Sequence, residues 1–140
     1  MTSTQIELVQ ASFKLVQPIA GEAAGLFYNR LFEIDPSLRP MFRGDIEEQG
    51  RKLMQMLGVA VASLQRLEQI LPAVEELGRR HARYGVRDQH YATVATALLW
   101  TLEKGLGEAF TPEVRDAWVA MYGVVTAAMQ RGAAAIAVAA

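Results

Sequence analysis

The 140-residue chain contains no cysteine and only two histidines. The absence of cysteine excludes disulfide bonds, thiolate metal ligands and cysteine nucleophiles, and it fits a reducing compartment. Fourteen Lys and Arg residues stand against 15 Asp and Glu residues, a net charge of −1. This balance favours neither nucleic acid nor an anionic membrane as a partner. Any chemistry at a histidine would proceed without a cysteine and with at most one other histidine.

The sequence also lacks a targeting segment and a long apolar run. The N-terminal MTSTQIELVQ has no basic segment followed by an apolar stretch, so we expect no secretory signal and a cytoplasmic location. The apolar stretches are interrupted before they reach bilayer-spanning length, and we expect no transmembrane helix. The C-terminal GAAAIAVAA is interpreted as a frayed helix end rather than an anchor.

What the chain does have is helical patterning almost throughout, with 51% hydrophobic residues and no alternating strand pattern. We predict an all-α, single-domain protein over residues 1–140, with six long helices and short connections. The predicted helices run from Thr4 to about Val16, from Gly21 to Phe32, from Ile46 to Leu67, from Pro72 to the stop signal Gly85, from a cap at Asp88 to about Leu106, and from Thr111 to about Arg131.

Local signals support these boundaries. Thr4 and Glu7 could form a capping box, and Asp35 before Pro36 starts a short helix. The following MFRGD is a turn or loop. Gly21 and Gly25 lie four apart, so they could admit a close helix neighbour or simply tolerate their backbone conformation.

The stretch LGRRHARYGV, residues 77–86, places a histidine on an apolar helical face. Val74, Leu77, His81 and Tyr84 are separated by three or four residues and share one side of a helix. The neighbouring arginines lie mostly off that side. His81 is therefore predicted to point inward while the arginines reach solvent.

Two more polar side chains are predicted to face inward. Gln49 lies on the apolar stripe of the third long helix, and Tyr28 lies on that of the second. That third stripe is formed by Leu53, Met56, Leu57, Ala60 and Leu64. An unpaired buried polar group costs about 1–3 kcal/mol. Each group could find a backbone or water partner, or the three could surround a cofactor, with the imidazole binding haem iron.

Three segments make the chain similar to a known family. LGRRHARYGV resembles the proximal-histidine segment of globins, DPSLRPMF resembles their proline-to-phenylalanine corner, and LLWTLEKGLGEAFTPEVRDAWVAMYG resembles the last two helices of neuroglobin. From about Ile6 to Arg131 the chain resembles single-domain bacterial globins related to neuroglobin and to the haem domain of flavohaemoglobins. The resemblance implies the globin fold, a three-over-three helical sandwich, and haem b as cofactor.

The resemblance makes His81 the proximal iron ligand. Phe42 would pack on the haem face at the corner. Leu77 and Val86 would line the cofactor, and Tyr91 matches a flavohaemoglobin tyrosine that approaches the proximal histidine.

On the distal side, the resemblance places Gln49 where many globins have histidine. Tyr28 matches the distal tyrosine of flavohaemoglobins, and both side chains would donate to a bound diatomic. Leu53 would wall the pocket. Lys52 could reach a haem propionate or be a solvated surface lysine.

The chain departs from these relatives in three ways. Gln49, a poor ligand, replaces the histidine that neuroglobin uses as a sixth iron ligand, which argues against histidine hexacoordination. A reductase domain like that of flavohaemoglobins does not fit in 140 residues. Their last-helix glutamate falls near Ala133, which weakens the case for strong electron push.

The resemblance predicts reversible binding of O2, NO and CO, with high oxygen affinity and slow release. The alternative is a nitric oxide dioxygenase that depends on a separate reductase; a sensor or a haem-free interaction module are further alternatives. No catalytic residue is predicted. His90 is expected to be exposed or capping, Trp100 and Trp118 to be core, and Met41 and Met56 either to pack in the core or to lie near the haem.

Overall fold

The architecture is seen in a computed structural model that describes residues 1–42 and 45–139, without the side chains of residues 135–139. Its described part contains helices and no strand, which confirms the all-α prediction. The α-helices are α1 Ser3–Val16, α2 Ala20–Ile34, α3 Ile46–Ala62, α4 Leu67–Arg83, α5 Asp88–Leu106 and α6 Pro112–Ala139. Short 3-10 turns cover Gln17–Ile19, Pro36–Met41, Leu64–Arg66 and Gly107–Ala109.

The first helix begins earlier than predicted. Thr2 and Gln5 form the capping box instead of Thr4 and Glu7: the Gln5 amide donates to Thr2 Oγ1 at 3.1 Å, and the Thr2 amide donates to Gln5 Oε1 at 3.0 Å. Glutamine returns this hydrogen bond as glutamate would, so the earlier threonine serves equally well. The 3-10 turn that contains Pro18 follows α1 directly, as expected for a proline stop.

Aspartate and threonine caps start the next elements. The Ser37 amide donates to Asp35 Oδ1 at 3.1 Å, which confirms the predicted start. Asp45 accepts from the Glu47 amide at 3.0 Å and caps α3, while positions 43 and 44 of the predicted loop lie outside the described residues. Thr111 Oγ1 accepts from the Val114 amide at 3.2 Å at the start of α6, which continues past the predicted end.

The boundary between α3 and α4 was predicted wrongly. Helix α3 ends at Ala62, and the 3-10 turn separates it from α4, so Pro72 lies inside α4 rather than at its start. Proline here removes the hydrogen bond to the carbonyl of Glu68, four residues earlier, and its ring crowds that carbonyl. The helix tolerates this loss because its later turns pack against α6.

Helix α4 ends in a Schellman motif, as Gly85 predicted. The Val86 amide donates to the His81 carbonyl at 3.0 Å, and the Gly85 amide donates to the Ala82 carbonyl at 3.0 Å. Gly85 has φ of 94°, a conformation that favours glycine.

Helix α5 begins at Asp88, with Arg87 rather than Asp88 in the capping position. The Arg87 amide donates to His90 Nδ1 at 2.9 Å, which confirms the capping role of this histidine. Asp88 lies in the first turn, where its negative charge complements the helix dipole.

The apolar core has two parts. The main cluster surrounds the fully buried Val9, Leu31 and Trp118, and the indole of Trp118 donates to Ser12 Oγ at 2.9 Å. A second cluster lies mainly between α4 and α6, and Val125 packs against both clusters. Trp100, predicted to be core, is only half-buried, and its ring lies 5.2 Å from the guanidinium carbon of Arg30.

Close helix contacts occur at other glycines than those singled out in the sequence. Among the described atoms, nothing lies within 4 Å of a Cβ built on Gly21 or Gly25. By contrast, a Cβ on Gly50 would lie 2.8 Å from Ala24 Cβ. The residue after Gln49 therefore brings α3 directly against α2, beside Tyr28.

Candidate cofactor site

His81 is the central feature of the site and lies half-buried in the last turn of α4. Its Nδ1 atom is 2.8 Å from the carbonyl oxygen of Leu77. A carbonyl only accepts hydrogen bonds, so the ring donates from Nδ1, which leaves the lone pair of a neutral imidazole on Nε2. This is the form in which histidine binds a metal.

The surroundings of His81 keep its ring neutral. Burial lowers the pKa of His81, and the nearby charge of Arg80 lowers it further, while the hydrogen bond to the Leu77 carbonyl acts in the opposite direction. A buried cation next to another cation is unfavourable. The imidazole is therefore available as a neutral ligand at neutral pH.

The inward-facing stripe of α4 is shorter than predicted. Val74 is buried and Leu77 is half-buried, but the side chain of Tyr84 is 71% exposed. Tyr84 is the C-cap residue, and the chain turns away at Gly85, so the apolar stripe ends with the helix.

The residues predicted around the proximal ligand gather in the α4–α6 cluster. Tyr91 is buried there, and Leu77 and Val86 pack against it. The Tyr122 hydroxyl donates to the Tyr91 carbonyl at 2.6 Å, and burial raises the pKa of both phenols. Tyr122 was not among the predicted site residues, and its only signal in the sequence is a tyrosine on the inner side of the last helix.

Tyr28, predicted for the distal side, is 4% exposed. Its ring meets the ring of Phe42 edge-to-face with centroids 5.3 Å apart, and it stacks on Phe32 at 6.1 Å. The structure thus brings two predicted site residues into direct contact. Burial raises the pKa of Tyr28 to about 12, so the hydroxyl keeps its proton and can donate it to a hydrogen bond.

Helix α3 supplies the other distal residues. Gln49 is half-buried, and Leu53 is half-buried against the main cluster. Lys52 is exposed, and its Nζ lies 3.8 Å from Glu48 Oε1, a surface position. Met56 is 41% exposed, so the predicted stripe is wrong at this position, one turn past Leu53.

The two halves of the site lie in different apolar clusters. Tyr28, Phe42 and Leu53 belong to or pack against the main cluster, whereas Leu77, Val86 and Tyr91 belong to or pack against the α4–α6 cluster. The turn at Gly85 lies near the turn at Met41, because a Cβ built on Gly85 would lie 3.9 Å from Met41 Cε.

This donor set fits haem better than a bare metal ion. The described residues contain no group of three or more His, Cys, Asp or Glu side chains that could hold a metal. A single neutral imidazole between apolar walls suits an iron whose other ligands come from a porphyrin. In the same part of the chain, no helix is long and apolar enough to cross a membrane.

Comparison with known proteins agrees with this geometry. The globin family model matches residues 25–129. Neuroglobin of Tetraodon nigroviridis is 32% identical over 94% of this chain and 92% of its own length. A flavohemoprotein of Bacillus subtilis is 30% identical over 86% of this chain, which spans 31% of that relative.

A solved structure shows the same fold. An engineered carbene transferase, based on a nitric oxide dioxygenase candidate from Rhodothermus marinus, superposes with a TM-score of 0.89 at 24% identity, covering 99% of this chain and 97% of the other. Together with the family match and the relatives, this fold establishes that the chain belongs to the globin family.

Proposed function

We propose that the protein binds haem b through His81 and reversibly binds dioxygen, with NO and CO as further ligands. Membership of the globin family supports haem-based binding of diatomic ligands. The observation that carries the proposal is the His81 imidazole, neutral and tied through Nδ1 to the Leu77 carbonyl at 2.8 Å. When bound, ferrous haem supplies an iron that takes up diatomic gases reversibly.

The proximal residues hold the imidazole in one orientation. The Leu77 carbonyl fixes the ring and its tautomer and increases the basicity of Nε2. The apolar side chains of Leu77 and Val86 pack against the α4–α6 cluster and would give the cofactor apolar contacts. His81 is thereby prepared as a ligand before the cofactor enters.

The distal residues favour a ligand with partial negative charge, such as dioxygen. Tyr28 is a protonated donor because burial raises its pKa to about 12, and the amide of Gln49 can donate as well. If each hydrogen bond contributes about 1 kcal/mol, the pair slows oxygen release about 30-fold. Carbon monoxide carries less charge and gains less, so we propose that the pocket favours oxygen.

Replacement of the ligand tests the proposal. His81→Ala should abolish stable haem retention, because it removes the Nε2 atom that would bind the iron. The measurement is the haem-to-protein ratio after reconstitution and gel filtration, with His90→Ala as the matched control. Normal haem content in His81→Ala would overturn the assignment of the proximal ligand.

A second candidate function is nitric oxide dioxygenase activity, which combines dioxygen, nitric oxide and one electron to give nitrate. The similarity to a flavohemoprotein favours it. The chain spans 31% of that relative, and the electron would have to come from a reductase. The test is nitrate formation when nitric oxide is added to the oxygenated protein, with repeated turnover only when a reductase is supplied.

A further inference from the structure

The backbones of helices α4 and α6 are in contact, and two glycines make this contact possible. A Cβ built on Gly78 would overlap the carbonyl oxygen of Met129, and a Cβ built on Gly132 would overlap that of Glu75. Cβ atoms essentially never come this close to another heavy atom. In both cases the obstacle is backbone, which cannot rotate away as a flexible side chain can.

The two contacts are reciprocal. Gly78 of α4 meets α6 at Met129, and Gly132 of α6 meets α4 at Glu75, so the helices run antiparallel at this crossing. The contacts are three residues apart on each helix, about 4.5 Å along its axis. The helices therefore touch over nearly a full turn, and a methyl group at either glycine must push them apart.

This crossing lies one turn before His81, the proposed iron ligand, on helix α4. Gly78 follows Leu77, whose carbonyl accepts the hydrogen bond from His81, and it precedes His81 by three residues. Side chains on a rigid helix move with its backbone, so the separation of α4 from α6 sets the position of the imidazole. We propose that Gly78 and Gly132 are positioning residues that fix His81 relative to the cofactor, an inference that rests on the proposed haem function.

The experiment compares Gly78→Ala and Gly132→Ala with Gly123→Ala. Gly123 lies on the same helix α6, but nothing lies within 4 Å of a Cβ built there. The readout is the iron–histidine stretching band of the ferrous protein in resonance Raman spectra. We expect the band to shift or split in the first two variants, with a several-fold change in oxygen dissociation, and to stay unchanged in Gly123→Ala.

A second variant background distinguishes an effect on the position of His81 from a general disturbance of the pocket. In His81→Gly supplied with free imidazole, the ligand is no longer attached to α4. Adding Gly78→Ala to this background should leave the imidazole–iron band unchanged. A shift of equal size in both backgrounds would show that the substitution acts on the pocket and not through His81, and would overturn the proposal.

The remaining outcomes also distinguish a positioning role of the two glycines from a purely structural one. Folded alanine variants with a lower Tm but an unchanged iron–histidine band would mean that the crossing only holds the fold. If the alanine variants lose haem, recovery of binding in the His81→Gly background with imidazole supports the proposal, and failure to recover contradicts it. Absence of any iron–histidine band in the wild-type protein would instead refute the proposed function itself.

Discussion

Burial gives Tyr28 the protonation state that its proposed role as a hydrogen-bond donor requires. The phenol is packed against Phe32 and Phe42, and burial keeps it protonated across the neutral range. Its ring supports the core while its hydroxyl remains a donor. These two contributions can be separated by removing the oxygen atom alone.

Tyr28→Phe should speed oxygen dissociation about 5-fold, because one hydrogen bond of about 1 kcal/mol is lost. Stopped-flow displacement of oxygen by carbon monoxide measures this rate. The matched control is Tyr122→Phe, which removes a hydroxyl bonded to the Tyr91 carbonyl and should lower stability without changing oxygen release. An unchanged rate in Tyr28→Phe would mean that Tyr28 does not donate to the ligand.

His81 should make the free energy of unfolding of the apoprotein depend on pH, and the direction of its pKa shift gives the sign of this dependence. Folding lowers the pKa of His81 below its ordinary value of 6.5, so the unfolded chain binds this proton more readily. The free energy of unfolding should therefore fall as the pH drops below about 6.5, until the lowered pKa is passed. Urea unfolding between pH 5 and pH 8, roughly the range over which histidine titrates, measures it.

The control for this effect is His81→Gln, which cannot take up the proton. Its unfolding free energy should depend less on pH over the same range than that of the wild-type apoprotein. Equal slopes would show that other groups cause the pH dependence.

At the scale of the element, helix α4 lacks a backbone hydrogen bond near its N-terminus and has a fully hydrogen-bonded motif at its C-terminus. Pro72 removes a hydrogen bond in its second turn, whereas the Schellman motif at Gly85 closes its last turn around His81. The rigid end of the helix is thus the end that carries the ligand.

Pro72→Ala should raise the free energy of unfolding by about 2 kcal/mol. Restoring the N–H removes a penalty of about 3 kcal/mol, and the more flexible unfolded chain offsets up to about 1 kcal/mol of this gain. Chemical unfolding of the apoprotein measures the change, and the haem spectrum should stay the same. A lower stability would show that the proline fits the local backbone better than the helix geometry indicates.

Local signals in the sequence predicted the ends of elements better than their contacts. The starts at Asp35 and Thr111 and the stop at Gly85 were correct because the hydrogen bonds involved span two to five residues. Pro72 misled because the packing of α4 on α6 outweighs one missing hydrogen bond. The close contacts of Gly78 and Gly132 could not be predicted, since each needs a backbone partner distant in the sequence.

The same distinction applies to the site. The helical stripe and the resemblance to globins placed His81, Leu77 and Tyr28 correctly on inward faces. The predictions that Tyr84 and Met56 face inward were wrong, because helical periodicity does not reveal where a neighbouring helix stops covering a face. The hydrogen bond from Tyr122 to Tyr91 links two helices and leaves no local signal.

At the scale of the whole molecule, the proposed function joins two apolar clusters through a cofactor. Val125 packs against both, and the distal and proximal residues belong to different clusters. A haem bound through His81 and walled by distal residues would contact both. The stability of the folded chain should then depend on the cofactor.

Haem should raise the Tm of the wild-type protein, because it binds the folded chain and not the unfolded one. At a free haem concentration of about 1,000 times Kd, the gain is about 4 kcal/mol. Differential scanning calorimetry of the apoprotein with and without haem measures it. His81→Ala should lose most of this gain, and an equal gain in both proteins would indicate binding elsewhere.

The most direct test of the account is the absorption spectrum of the purified protein in its ferric, dithionite-reduced and oxygenated forms. Haem bound through His81, with an open distal side, should give a strong Soret band, a pentacoordinate ferrous spectrum and a stable oxygenated form. A hexacoordinate ferrous spectrum would contradict the open distal side, because an internal side chain would then occupy the sixth position. The absence of a Soret band, even after haem is added, would contradict haem binding through His81 and leave it a half-buried histidine at the end of α4.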